Sequence, residues 1–311
     1  MGNPGLSKKK NNKRSIINFN NIIMIEVTKA ILKNIYKPRP ADSKKYDFGL
    51  LLVIGGSEFY SGSPALSSFA AFKAGVDMVR IIAPKRAADI IASFSPILAA
   101  YPLQGDWLTK EHLATLIGFA ESAKAVSKGN TAVVIGGGMG RSDETQEAIL
   151  EFLSHVEIPV VIDADAIHAV GKRPEVIAGK NFLITPHTYE FFVLTGKEIY
   201  QSSDEERIKI VEAEAKRLQT TILLKGPVDV ISDGKEVSID KGGTPYMTVG
   251  GSGDTLAGIC GALMARGIKP FEAAQAAAFI NSKAGEVAAA KLKDSMTATD
   301  LIEAIPEVLH Q

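Results

Sequence analysis

The stretch Val249-Gly250-Gly251-Ser252-Gly253-Asp254-Thr255 decides how the rest of the chain is read. It sets three glycines and one carboxylate directly before Leu256-Ala257-Gly258-Ile259-Cys260-Gly261-Ala262-Leu263-Met264-Ala265, a small-residue run that reads as a buried helix. Glycines let backbone N–H groups crowd toward a ligand, and a helix N-terminus offers unpaired donors with partial positive charge, so the turn suits a phosphate. A carboxylate repels a phosphate unless it has a task of its own. Two roles are open for Asp254: helix N-cap, or acceptor of a proton from a hydroxyl.

Working outward, the chain alternates apolar runs with helical patterns. Leu50 to Ile54, Asp77 to Ala83, Thr131 to Ile135, Pro159 to Ile162, Asn181 to Ile184, Thr220 to Leu224 and Val228 to Ser232 read as strands. Ser63 to Gly75, Thr109 to Ala125, Asp143 to Leu153 and Asp204 to Leu218 read as helices, and residues 252–309 as almost all helix. Strands separated by helices imply parallel pairing, giving an α/β fold with a mostly parallel central sheet and helices on both faces. Turns at Lys225-Gly226-Pro227 and Asp233-Gly234-Lys235 make Thr220 to Ile239 an antiparallel run, expected at an edge of the sheet.

The 311 residues carry 35 basic and 35 acidic side chains, so nucleic acid is not a bulk partner. A single cysteine, Cys260, excludes an internal disulfide and a Cys-cluster metal site. No apolar run approaches the roughly 18 residues of a membrane span, and a cytoplasmic location is expected. Residues 1–23, with Lys8-Lys9-Lys10-Asn11-Asn12-Lys13-Arg14, read as a basic, disordered leader or an added extension. Residues 24–311 read as a single domain.

In an open parallel sheet the ligand lies where strands end. Those ends here are Gly55-Gly56-Ser57, Gly136-Gly137-Gly138-Met139-Gly140-Arg141, Asp163-Ala164-Asp165, Thr185-Pro186-His187 with Glu190, and Lys225-Gly226. The loop at 136–140 fits neither G-x-G-x-x-G nor a P-loop. Asp163 is a candidate for a phosphate or magnesium-water side, Asp165 for a helix cap, and His187 points into the crevice. Arg141 is either a phosphate clamp or a solvated side chain. His112, His155, His168 and His310 fall in or beside helices and are assigned no function.

Six motifs in this order, Gly55-Gly56-Ser57, Gly136 to Gly140, Asp163-Ala164-Asp165-Ala166, Thr185-Pro186-His187-Thr188-Tyr189-Glu190, Leu224-Lys225-Gly226 and Gly250 to Asp254, resemble the ADP/ATP-dependent NAD(P)H-hydrate dehydratases, a branch of the ribokinase-like superfamily. The resemblance runs over about residues 45–292. It implies a ribokinase-like three-layer α/β/α fold and nucleotide-driven removal of water from hydrated NADH or NADPH, with ADP or ATP and Mg2+. It implies Asp254 as the catalytic group and Ser63, Gly138, Gly140, His187 and Asp254 around the substrate. Lys225, Gly226, Pro227, Val228, Asp229, Gly250, Gly251, Ser252 and Gly253 would border the nucleotide. Asp163 and Glu190 would face phosphate or magnesium, with no protein cage around the metal. A homo-oligomer such as a tetramer, and an NAD(P)H-hydrate epimerase on a separate chain, are implied as partners.

The family's Gly-Pro-Gly-Leu-Gly is Gly-Gly-Gly-Met-Gly here, its Thr-Pro-His-Pro-Gly-Glu is Thr-Pro-His-Thr-Tyr-Glu, and its Gly-Ala-Pro is Gly62-Ser63-Pro64. A kinase of the same superfamily, acting on a small vitamin-precursor alcohol of hydroxyethylthiazole or hydroxymethylpyrimidine type, shares the nest and the Asp and stays open. So does a non-catalytic nucleotide sensor, against which Asp254 argues because pure binding has no need of it. The convergence of strand ends gives Asp254 both roles, capping its helix and facing a hydroxyl.

Overall fold

The computed structural model describes residues 15–19 and 22–310, with side chains from Met24 onward. Its strands are β1 (Ser15–Phe19), β2 (Ile22–Glu26), β3 (Leu50–Ile54), β4 (Met78–Pro84), β5 (Ala99–Leu103), β6 (Thr131–Ile135), β7 (Val160–Ile162), β8 (Phe182–Ile184), β9 (Thr221–Leu224), β10 (Asp229–Ser232) and β11 (Val237–Asp240). They form one sheet in the order β1-β2-β11-β10-β9-β8-β7-β6-β3-β4-β5. Pairing from β9 through β5 is parallel, as it is between β2 and β11.

The strand cores bury both faces. Along β3, Leu51 and Val53 join one apolar cluster while Leu50, Leu52 and Ile54 join the other, and β6 divides Ala132 and Val134 from Val133 and Ile135 in the same way. This two-residue alternation between two covered faces is why these strands read as unbroken apolar runs. The first face carries α1 (Ala30–Ile35), α2 (Gly62–Lys73), α3 (Lys85–Phe94), and, at the end of the chain, the last three helices; the second carries α4 (Leu113–Val126), α5 (Asp143–His155), α6 (Asp165–Lys172), α7 (Thr188–Thr195) and α8 (Asp204–Leu218). The closing helices are α9 (Ser252–Ala265), α10 (Pro270–Leu292) and α11 (Ala298–His310). The three-layer α/β/α expectation holds.

The antiparallel run β9-β10-β11 is present, but it is not the edge: β2 and β1 lie beyond it. Strand β1 and the first two residues of β2 sit inside the segment read as a leader, where the basic cluster dominated the sequence reading. Residues 1–14 of that leader, and residues 20 and 21, lie outside the described residues. No helix among the described residues is long and apolar enough to cross a membrane.

One packing detail fixes the site. Helix α9 is glycine-rich on the sides it buries: a Cβ on Gly258 would stand 2.1 Å from the Ser67 carbonyl oxygen of α2, and one on Gly261 would stand 2.4 Å from Val134 of β6. At Gly258 backbone lies directly on backbone, and at Gly261 the Val134 and Leu51 side chains lie directly on the helix. The helix is thereby pressed against α2 and the sheet, and its first turn stands beside the loop that follows β6.

Candidate active site

Helix α9 starts at Gly251, whose φ of +96° suits glycine, and no side chain caps it. The first N–H groups of a helix have no partner within it, so this end presents free donors and a positive dipole end. Asp254 stands three residues in and is not the N-cap, correcting the expected double role. Ser63 stands beside its carboxylate against Gly137, and Ser67 Oγ donates to its backbone carbonyl at 3.0 Å. Its Oδ1 would be 3.1 Å from a Cβ on Gly137. The aspartate is thus aimed out of its helix, at the junction of the loops after β3 and β6. Burial, reinforced by the Asp163 and Glu190 carboxylates and opposed by Ser63 and Lys225, pushes its pKa up to about 7.

Behind it lies a charged cluster from three further strand ends. Asp163 follows β7, and its Oδ1 accepts from Thr185 Oγ1 at 2.7 Å and from Lys225 Nζ at 2.9 Å. Lys225, directly after β9, also lies 3.7 Å from Glu190 Oε2. Glu190 Oε2 accepts from the His187 N–H at 2.8 Å, while His187 Nδ1 accepts from Tyr189 and Glu190 N–H groups, a capping box that starts α7. Burial works against the Lys225 charge, but Asp163, Glu190 and Asp254 together outweigh it and raise its pKa above the usual lysine value. The lysine is therefore a fixed cation, and a Cβ on Gly253 would be 3.4 Å from its Nζ.

The 136–141 loop is tied to the same cluster. Asp165 is not a cap: it lies in the first turn of α6, where its carboxylate accepts from Gly140 N–H at 2.9 Å and from Arg141 Nε at 2.7 Å. This salt bridge draws Arg141 away from a free clamping role. Between the two aspartates Ala164 is held at φ +48°, a conformation an L-residue rarely takes, which turns Asp163 toward Lys225 and Asp165 toward Arg141.

Asp254 is flanked by a cavity at Gly253 and by the glycine loop at Gly137. On the Gly253 side is a cavity of about 520 Å³ lined by Lys225, Gly226, Pro227, Asp229, Ser252 and Gly253 together with residues of the 241–248 segment, Leu256, Asn281 and Ser282. Burial, with Asp240 nearby, pushes the Asp229 carboxyl up to about 7, against the pull of Gly226 N–H, Lys225 and Arg207. On the other side Ser63, Gly137, Gly138 and Gly140 lie together with Tyr60 and Trp107, and His187 is half-exposed at the start of α7.

A family model described as NAD(P)H-hydrate dehydratase matches residues 51–307. The chain belongs to the NAD(P)H-hydrate dehydratase family. It is 45% identical over 276 residues, 88% of the chain and 53% of the relative, to the bifunctional NAD(P)H-hydrate repair enzyme Nnr of Pyrobaculum aerophilum. It is 37% identical over 284 residues, 91% of the chain and 96% of the relative, to the ADP-dependent (S)-NAD(P)H-hydrate dehydratase of Nitrosopumilus maritimus. A ribokinase-like superfamily protein of Enterococcus faecalis superposes with a TM-score of 0.77 at 26% identity, covering 91% of this chain and 94% of that one. The chain spans about half the length of the bifunctional relatives it matches.

For this member of the dehydratase family, Asp254, Ser63, Asp163, Glu190 and Lys225 converge in one place, with Gly138, Gly140 and His187 on one flank and Lys225 to Asp229 and Gly250 to Gly253 on the other. Of the residues expected beside the nucleotide, Val228, Gly250 and Gly251 do not line the cavity: Val228 packs against the second apolar cluster, and Gly251 lies against Leu66 and Ala298. The sequence reading missed the cavity's far wall, Gly242 to Thr248 with Asn281 and Ser282. It also set aside His168, which lies beside Tyr189 at 6.1 Å between ring centroids and whose pKa is lowered by burial and by Arg141.

Proposed function

We propose that this chain dehydrates hydrated NADH or NADPH, using ADP or ATP as phosphoryl donor. The observation that carries this reading is the position of Asp254 directly after Gly253, which lines a nucleotide-sized cavity, with the Asp254 carboxylate turned to the glycine loop at Gly137. The name of the Nitrosopumilus relative supports ADP as co-substrate.

In this reading the phosphate chain lies on the N-terminal end of α9 at Gly250 to Gly253, with the fixed Lys225 cation beside it. Asp254 takes the proton of the ring hydroxyl as the terminal phosphoryl group moves to that oxygen. The C–O bond then breaks, phosphate leaves with the electron pair, and loss of a proton from the neighbouring ring carbon restores the double bond. Among the described residues no group of three or more His, Cys, Asp or Glu side chains is arranged to hold a metal. Asp163 and Glu190 are already engaged by Lys225, a donor set that fits magnesium held through nucleotide phosphates with these two carboxylates behind it. So bound, magnesium supplies charge neutralisation on the phosphates. Residues 24–311 act as one unit in this proposal, in a homo-oligomer, with an NAD(P)H-hydrate epimerase as functional partner.

The test is incubation of the protein with hydrated NADH, ADP or ATP, and magnesium. Return of reduced-nicotinamide absorbance and fluorescence with release of phosphate supports the reading. A stable phosphomonoester, or turnover only on small alcohols, replaces it with the kinase.

A further inference from the structure

The two most exposed large apolar side chains on the substrate flank are Phe59 and Tyr60, at 70% and 62% exposure, in the loop after β3. They are not loose. The turn is closed by Ser57 N–H on the Tyr60 carbonyl at 2.9 Å, and Glu58 is braced from two sides, its N–H donating to the Asp106 carbonyl at 2.8 Å and its carbonyl accepting from Arg86 Nη1 at 2.5 Å. Phe59 meets Trp107 edge to face, with ring centroids 5.6 Å apart. Trp107 and Tyr60 in turn stand on the glycine loop: a Cβ on Gly140 would come within 2.5 Å of the indole, and one on Gly138 within 2.9 Å of Tyr60 Cβ. Gly140 also has φ +80°, so position and conformation both exclude a larger residue.

The loop gives this arrangement a direction. Gly137 lies against Ser63 and Asp254, Gly138 against Tyr60, and Gly140 against Trp107. Three aromatic rings, two of them bracing each other, thus form the outer end of a path that starts at the group reacting with the hydroxyl. Soluble proteins leave aromatic faces open where a ring is to be received, because base and aromatic faces stack with little regard to sequence or substituent.

We infer that Phe59, Tyr60 and Trp107 are a stacking subsite for the second, adenine ring of the dinucleotide substrate. This rests on the dehydratase reading. A substrate with its nicotinamide hydroxyl at Asp254 and two rings joined by a pyrophosphate carries its other ring outward along Gly138 and Gly140, onto this wall. The purine stack contributes affinity and leaves the chemical step untouched, since the reacting ring is held by other groups.

The test is a substrate truncation crossed with mutation. Hydrated NADH and hydrated reduced nicotinamide mononucleotide, which lacks the adenosine half, are compared in the wild type, Phe59→Ala, Trp107→Leu and the ring-preserving Trp107→Phe. The expected result is that Phe59→Ala and Trp107→Leu raise KM for hydrated NADH by about tenfold, within the roughly 5- to 100-fold of one lost stack. KM for the truncated substrate and kcat for both substrates stay unchanged, and Trp107→Phe retains most of the affinity. An equal loss on both substrates, which loop distortion produces, overturns the inference, as does no loss on either. Trp107 is the chain's single tryptophan, so its fluorescence gives a readout without turnover. Quenching by NAD+ but not by nicotinamide mononucleotide is expected, and NAD+ binding without quenching overturns the stack. A wild type inactive on both hydrates instead brings down the dehydratase reading, and the fluorescence titration still decides whether a dinucleotide stacks there.

Discussion

Lys225 Nζ lies 2.9 Å from Asp163 Oδ1, and this pair joins the cavity behind Gly253 to the strand ends that carry Thr185, His187 and Glu190. Both side chains are largely withdrawn from water. Removing one partner of such a pair leaves an uncompensated charge, at a typical cost of about 3–5 kcal/mol. Lys225→Met is therefore expected to lower the urea midpoint sharply and abolish nucleotide-dependent turnover. Lys225→Met combined with Asp163→Asn is expected to recover most of the stability and none of the turnover. A single variant that costs less than about 1 kcal/mol in urea titration shows that the pair is not a buried unit.

Asp254 couples activity and stability in opposite directions. Its carboxyl is raised to about 7 in the folded protein from an unfolded value near 3.8. The unfolded chain thus loses this proton first, and the folded state keeps it. The stability this group contributes is full below pH 3.8, declines as the pH rises and is gone above about 7. At about 1.4 kcal/mol per unit the loss reaches about 4 kcal/mol. Asp254→Asn is expected to match the wild type in stability at pH 4 and exceed it by a few kcal/mol at pH 8, in paired thermal melts. The same variant is expected to lose about 10²–10⁴-fold in kcat, and kcat/KM of the wild type to rise through pH 7 as the base ionises. An active Asn variant removes Asp254 from the chemistry.

What the sequence made legible follows from where the physics is local. Leu50 to Ile54 and Thr131 to Ile135 are buried on both faces, so their identity as parallel strands shows in five consecutive residues. Gly250 to Asp254, Lys225 and His187 were legible because a strand or helix end is marked by its own neighbours. Strand β5 was not: its Ala99 to Pro102 are largely exposed and carry a proline, leaving no apolar run. The far wall of the cavity was not either, since Gly242 and Ser282 are forty residues apart and ordinary in their local context. Asp165 read as a cap because capping depends only on the next turn, whereas its partners Gly140 and Arg141 come from another strand end.

Gly258 tests the packing that aims Asp254. Its missing Cβ would stand 2.1 Å from the Ser67 carbonyl oxygen, which is helix backbone and has no rotamer to change. Gly258→Ala gains in helix propensity by about 1 kcal/mol and would stabilise an exposed helix. Here the overlap forces α9 away from α2, and a net loss of about 1–3 kcal/mol is expected in urea titration. Because the shift moves the first turn of α9, turnover falls as well. A stabilised Ala variant shows that the two helices separate freely and that the contact does not fix the site.

Gly242 addresses the cavity alone. A Cβ there would lie 2.5 Å from Ser282 Oγ and 2.9 Å from Ser282 Cβ, with Asp240 Oδ2 at 3.3 Å. Ser282 is buried in α10, so the conflict is relieved by displacing the 241–248 segment into the cavity it lines. Gly242→Ala is expected to raise KM for ADP or ATP by about tenfold, equivalent to about 1.4 kcal/mol. KM for the hydrated substrate stays as it is, because the glycine wall and the aromatic rim lie on the other side of Asp254. Ser282→Gly in the same chain removes both close atoms and is expected to restore nucleotide affinity. Steady-state kinetics with each substrate varied in turn checks this, and an unchanged nucleotide KM in Gly242→Ala places the nucleotide outside the cavity.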